Sequence, residues 1–350
     1  MNNLEPNAQL EKVERSFLPV DLKINKWDDL QPFFENLKNR TLDSEEALTK
    51  WLKDISELES VISEDASWRQ INMTCDTTNK AYEEAFTYFC MEIEPKMKPY
   101  FFELNKKLLA SPFNGKLDPN QYFPYLRSID NAVKLYREEN VPIQAELSVL
   151  AQQFGVISGK MTIEVNGKEY TLQQAARFLQ NPDRALREDV FRKIAARRLQ
   201  DKVALDDLFD DLLAKRHQVA LNAGFDNYRD YKFKELGRFD YTPDDCFEFH
   251  QAVKEHILPL QRMLSLNRKQ RLGLDVMKPW DTDAEPAGVE PLRPFETGKE
   301  LAEKTVEVFN RLRPFFSQCI NVMVDMKRLD LESRIGKAPG GYNCPLAETG

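Results

Sequence analysis

Glycine, histidine and paired cysteine are scarce in this chain, and each scarcity excludes something. There are 13 glycines in 350 residues, too few for a fold built from many tight turns, so helix is favoured over sheet. Three histidines occur, His217, His250 and His256, and no His-Glu-x-x-His is present anywhere. A zinc helix that offers two imidazoles at i and i+4 is therefore absent from the sequence. The five cysteines, Cys75, Cys90, Cys246, Cys319 and Cys344, are odd in number and form no Cys-x-x-Cys pair. That argues against a disulfide framework and for a reducing, cytoplasmic setting. No apolar run reaches the roughly 18 residues of a membrane span. Residues 1–30 carry acids and no apolar core of signal-peptide length.

What is present is charge and long amphipathic patterning. Charged residues make up 30% of the chain and the net charge is −8. Arg192-Lys193 with Arg197-Arg198 is the most basic cluster, but Glu188, Asp189 and Asp201 flank it. It reads as a solvated helix face, and nucleic acid is not an expected partner.

Apolar spacing predicts a mostly α protein of long antiparallel helices. Residues 1–30 read as irregular, with breakers at Pro6 and Pro19. Leu30, Phe33, Phe34 and Leu37 form a helical stripe. Ser44 starts a helix that runs to about Ile62, and another opens near Asp76 or Thr77 and continues past Pro95 and Pro99, which should kink it. After a Pro- and Gly-containing boundary at Ser111–Asn120, helices cover about 120–140 and from Pro142 to about Gly155. The period then changes to two over Met161, Ile163 and Val165. Asn166-Gly167 is a two-residue hairpin turn, so one small β-hairpin is expected at about 160–172.

Thr171 caps the next short helix. Asp183 opens a helix running to Leu221 and closed by Gly224. Thr242-Pro243-Asp244-Asp245 combines a capping hydroxyl, a first-turn proline and acids suited to the helix dipole. That helix should reach Leu272, with a kink at Pro259. A Pro- and Asp-rich loop covers Gly273–Phe295. Thr297 or Gly298 opens a further helix, and a last one runs from Pro314 to Gly336. Residues 1–115 are expected as an N-terminal helical hairpin region, 116–200 as a helical lobe with the hairpin, and 201–350 as a third region.

Candidate chemistry is thin. His250 and His256 are six residues apart on one expected helix, which sets them on opposite sides, and the adjacent Glu255 does not repair that geometry. Cys246 and His250, at i and i+4, can touch, but neither has an orienting partner, so a half-buried cysteine on a helix face is the better reading. Trp280 reads as a pin that holds its loop to the helices beneath. The best functional candidate is Gly340-Gly341-Tyr342-Asn343, where adjacent glycines let a ligand approach the backbone. The bland alternative is a helix end and a turn.

Several stretches, taken in order, carry a resemblance. They are Asn181-Pro182-Asp183-Arg184 with Arg187 and Phe191; Lys215 to Ala220, then Gly224-Phe225 and Asn227-Tyr228 with Asp230-Tyr231; Tyr241-Thr242 with Cys246, His250 and Pro259; Pro279-Trp280-Asp281; and Gly336-Lys337-Ala338-Pro339-Gly340-Gly341-Tyr342. Together they resemble the oligoendopeptidase F branch of the thimet-oligopeptidase family of zinc metallopeptidases, over about residues 120–350. The resemblance implies hydrolysis of short, unstructured peptides by a zinc endopeptidase. It implies that residues 201–350 are the first part of the peptidase domain, and that Gly340, Gly341, Tyr342 and Asn343 lead into an edge strand that binds substrate. The family's metal ligands and catalytic residues lie beyond the point equivalent to Gly350. No catalytic or metal-binding residue can thus be carried over, and this chain is expected to be inactive alone. A non-catalytic helical peptide-binding or scaffold module is the alternative.

Overall fold

The computed structural model describes residues 14–286 and 288–349. It is mostly α. The helices and strands are α1 (Gln31–Asn39), α2 (Glu45–Cys75), α3 (Lys80–Tyr88), α4 (Glu94–Ala110), α5 (Pro119–Leu135), α6 (Asn140–Gly159), β1 (Thr162–Val165), β2 (Lys168–Thr171), α7 (Leu172–Ala176), α8 (Arg184–Gln200), α9 (Lys202–Asn222), α10 (Tyr228–Glu235), α11 (Pro243–Ala252), α12 (Leu258–Arg271), α13 (Gly298–Leu312) and α14 (Pro314–Asp325). The expected irregular stretch 1–30 lies partly, at 1–13, outside the described residues. Among the described residues no helix is long and apolar enough to cross a membrane.

The chain forms two compact units, each assembled from separate stretches. One contains Ser158–Lys202 and Leu258–Pro339; the other contains 14–157, Val203–Ile257 and 340–349.

The second unit is organised on α2. Ser44 caps this helix, its hydroxyl accepting from the Ala47 N–H. Leu48, Trp51, Leu52, Ile55, Leu58, Val61 and Ile62 then recur at helical spacing and are buried against Phe34 and Leu37 of α1 and Ile93, Met97, Leu104 and Leu108 on the α3–α4 side. The helix runs to Cys75, well past the Ile62 at which its apolar stripe weakens. Its polar second half is held by partners of another kind: Arg69 pairs with Asp65 one turn away and donates to the carbonyls of Ala85 and Ile24. A separate small core gathers Val219, Ala220, Ala223 and Tyr231 with Leu135, Ile143 and Leu147.

In the first unit, Thr162–Val165 pairs antiparallel with Lys168–Thr171 across Asn166-Gly167, and both turn residues have positive φ. Ile163 and Val165 alternate inward, and α8 lies against β1. Thr171 caps α7 as expected, through a reciprocal box with Gln174. The helices α13 and α14 pack as a hairpin, whereas α12 buries none of its residues.

Pro99 lies inside α4 without a break, whereas the irregularities at the other two expected prolines take one form. A π-helical turn at Phe89–Ile93 comes just before Pro95, and another at Val253–Ile257 just before Pro259. Proline lacks an N–H and its ring crowds the carbonyl four residues back; a wider turn upstream moves that carbonyl aside.

Three expectations are corrected. The helix from Asp183 does not run unbroken to Leu221. Asp201, at φ −97 and ψ 10, ends α8, and α9 starts afresh at Lys202. No glycine or proline marks the break; Arg197 pairs with Asp201 at the joint. The last helix ends at Asp325, not Gly336. There the Lys327 N–H donates to Val324 O and the Arg328 N–H to Met323 O, closing a Schellman end with Lys327 at φ +55. Gly224 and Gly237 occupy the equivalent place in two other helices, and without a glycine this stop carried no signal. Finally, Tyr342-Asn343 starts no regular strand: residues 341–346 carry no helix or strand assignment.

Lys327 adopts a conformation that crowds an L side chain. Lys327→Gly is expected to stabilise the first unit by roughly 0.5–1 kcal/mol, read as a higher urea midpoint at unchanged slope. A lower midpoint would show that the lysine side chain contributes more than its backbone costs.

Candidate peptide-binding segment

The four predicted site residues sit together at the point where the chain leaves the first unit and enters the second, since the first ends at Pro339. Gly340 has φ +103, open to glycine and strained for other residues. A Cβ built on Gly340 or Gly341 would meet nothing within 4 Å, so this backbone is reachable from outside. Gly341, Tyr342 and Asn343 are exposed.

Beyond them the chain is extended and one-sided. Tyr342, Cys344, Leu346 and Glu348 alternate with exposed Gly341, Asn343, Pro345 and Ala347. Leu346 is buried, Cys344 and Glu348 are half-buried, and Tyr342 turns its hydroxyl to 2.6 Å from the Thr74 hydroxyl on α2. This period of two is that of a strand with one face covered. Among the described residues the backbone of 343–347 has no partner. The segment ends in a turn at residues 347–349.

That turn is held by Glu64, a buried carboxylate on α2 that sequence reasoning missed. One oxygen accepts from the backbone N–H groups of Glu348, at 2.9 Å, and Thr349, at 2.8 Å. The other accepts from the Thr349 hydroxyl at 2.7 Å and from Trp68 Nε1 at 3.4 Å. Burial pushes the Glu64 pKa up, but the bonds from Thr349, Glu348 and Trp68 outweigh it and hold it below the ordinary range. Arg15 donates from Nε to Glu348 at 2.6 Å. The sequence signal was weak: Glu64 lies inside a polar run where a solvated carboxylate is the default.

The other candidates do not assemble. His217, His250 and His256 are all exposed. His250 lies beside Phe247 and Phe249, and His256 lies in the π-helical turn. All five cysteines are free thiols; Cys246 is half-buried, and burial pushes Cys90 up to about 12. Among the described residues no three His, Cys, Asp or Glu side chains gather where they could hold a metal ion. The described residues therefore do not fit a zinc centre. A cleft lined by Tyr136, Arg137, Asn140, Gln144, Tyr231 and Glu235 is also occupied by internal bonds. The Arg137 side chain donates to the carbonyls of Lys134, Tyr136, Asn222 and Ala223.

Trp280-Asp281 pins its loop, and the carboxylate is the stronger part of the pin. Asp281 is fully buried; it pairs with Arg184 at 2.9 Å and Arg187 at 2.8 Å and accepts from the Lys278 N–H at 2.9 Å. Trp280 lies beside Phe191 and under the Arg192 guanidinium. Two stretches far apart in sequence, Asp183–Arg187 and Pro279–Asp281, thus form one buried ion cluster.

Comparison with known proteins follows the same lines. The model of the peptidase M3 N-terminal domain matches residues 17–136, and that of peptidase family M3 matches 177–349. A crystal structure described as an oligoendopeptidase F is 25% identical, with a TM-score of 0.86 over 92% of this chain and 57% of that one. PZ peptidase A, solved with an inhibitor, is 23% identical, with a TM-score of 0.86 over 93% of this chain and 58% of its own. A Bacillus anthracis str. Ames protein described as an oligoendopeptidase F is 22% identical, with a TM-score of 0.86 over 92% and 59%. These last two likenesses speak for the fold alone. The chain spans less than three fifths of the length of each of these proteins. No curated protein sequence matches.

For Asp281, burial pushes the pKa up, and the bonds from Arg184, Arg187 and the Lys278 N–H outweigh it and hold it down at about 2. A carboxylate depressed in the folded state contributes stability that is fully present above its unfolded value of 3.8 and is lost as pH falls through about 2. Asp281→Asn leaves Arg187 buried without its counter-charge and is expected to cost the first unit roughly 3–5 kcal/mol at pH 7. Thermal melts at pH 7, 4 and 2 should show the gap between variant and parent closing at the lowest pH. A gap that persists at pH 2 would mean the charge is not what matters.

Proposed function

The chain belongs to peptidase family M3, and we propose that it supplies the N-terminal part of a zinc-dependent oligoendopeptidase that hydrolyses short, unstructured peptides. On this reading residues 201–350 are the first part of the peptidase domain. The metal ligands and the catalytic base come from polypeptide that this chain does not contain, so the chain alone does not cleave.

One observation carries the reading: a Gly-Gly turn with open space around it opens into an extended segment whose outward edge has unpaired backbone. An extended peptide laid beside such an edge gains main-chain hydrogen bonds irrespective of its sequence, with side-chain preference left to neighbouring surfaces. Gly340 and Gly341 allow close approach, Asn343 offers the first pairing position, and only an unfolded peptide can present the matching edge. A cytoplasmic setting accords with five free thiols.

A second feature favours a missing partner. In the first unit Leu260, Met263, Leu264 and Leu266 of α12 and Phe315 and Phe316 of α14 are exposed. Leu260, Met263 and Leu264, at i, i+3 and i+4, share one face of α12, and an exposed apolar helix face of this kind suits an interaction site. Polypeptide equivalent to the remaining two fifths of the similar structures is the occupant we assign to it.

The test mixes this chain with a separately made polypeptide that carries the His-Glu-x-x-His helix of a relative. The mixture is expected to cleave a quenched octapeptide in a chelator-sensitive manner, while each part alone is silent. If the mixture is silent and this chain still binds the peptide, a non-catalytic peptide-binding module becomes the better account. Cleavage by this chain alone would refute both.

A further inference from the structure

The segment that follows the glycine pair is fastened at both ends to a single helix. Tyr342 meets Thr74 at one end, and Glu64 grips the turn at 347–349 at the other. On α2 these anchors are ten residues apart, which is about 15 Å at 1.5 Å per residue. Six residue steps from Tyr342 to Glu348 reach about 20 Å when fully extended. The segment is thus long enough to span its anchors with about 5 Å to spare, and its register is held by the side chains that bind: a slip of one residue would turn Leu346 and Glu348 out to solvent and leave Glu64 buried with too few donors.

We propose that Glu64 and Thr74 are positioning residues, and that α2 acts as a ruler fixing the register of the Tyr342–Glu348 segment. The inference rests on the reading of this segment as the peptide-binding edge, because register decides which backbone groups face an incoming chain. Successive N–H groups of a strand point in opposite directions, yet those of Glu348 and Thr349 converge on one Glu64 oxygen. Glu64 thus both ends the extended run and sets where it ends. The same oxygen pair accepts the Thr349 hydroxyl, so the carboxylate is saturated by donors from the segment and from Trp68. Arg15, paired with Glu348, holds the next side chain back along the segment.

Glu64→Gln keeps the shape but turns one acceptor into a donor that faces N–H or O–H groups. Cys344 reports on the segment itself, and half-buried Cys246, in the same unit but on α11, serves as the control. In the 350-residue chain, Glu64→Gln is expected to raise the alkylation rate of Cys344 about tenfold with Cys246 unchanged. Thr349→Val, which removes only the hydroxyl bond, should give a smaller rise. Hydrogen exchange should place the loosening of Thr74→Val near Tyr342 and that of Glu64→Gln near Glu348. Unchanged Cys344 rates in the Glu64 and Thr349 variants would overturn the proposal. Cys246 accelerating in step would also overturn it, by making Glu64 a residue of general stability.

Fluorescence anisotropy with a labelled octapeptide separates this from the functional reading. Weaker binding by Glu64→Gln than by the parent, together with the selective Cys344 change, is the expected result. If the parent binds no peptide while Cys344 still responds, the ruler stands and the peptide-binding reading fails.

Discussion

Carboxylates on α2 do work in the second unit that sheet pairing does in other folds. Glu57 accepts the backbone N–H groups of Ser16, Phe17 and Leu18. Glu64 accepts those of Glu348 and Thr349. The two acids are seven residues apart, nearly two full turns, so they lie on one side of the helix about 10.5 Å apart. Each satisfies backbone donors of an irregular segment that would otherwise have to stay in water. Arg15 ties the two segments together through Glu348, and Arg69 on the same helix holds the carbonyl of Ile24. Both carboxylates are held below their ordinary range because N–H donors outweigh the effect of burial. The buried apolar stripe of the helix ends near Ile62, with Glu57 on its margin, and the further turns to Cys75 carry the grips of Glu64 and Arg69.

This division of labour explains which parts of the fold were legible in the sequence. Features governed by neighbouring residues could be read. The Ser44, Thr171 and Thr242 caps, the Asn166-Gly167 hairpin and the two proline irregularities all follow from chemistry within a few positions. Features set by distant partners could not. The second half of α2 looked like a fading helix because Ala85, Ile24 and the 347–349 turn are invisible to a local pattern. Lys327 in a left-handed conformation gave no warning of a helix end, because lysine is ordinarily a good helix residue.

The candidate site divides in the same way. Gly340-Gly341 announced a close-approach turn, and the structure gives Gly340 the positive φ that such a turn requires. The alternation from Tyr342 to Glu348 was equally present in the sequence, but nothing local said which face would be covered. Glu64 supplies that information from 284 positions away.

The stretches that carried the resemblance are in large part pins. Asp183 caps α8 while Arg184 and Arg187 grip Asp281. Asn227 caps α10, and Tyr231 closes the small core beneath it. Thr242 and Asp245 form a reciprocal capping box. Buried ion clusters and caps tolerate few substitutes, because removing one partner strands a charge or an N–H group. Such residues are what a long shared scaffold keeps in fixed order, whatever chemistry is added to it. A likeness resting on them identifies the framework and says little about reacting groups, and this is why the family of the chain is plain while its chemistry has to be sought elsewhere, at a segment such as 343–347 whose backbone has no partner among the described residues.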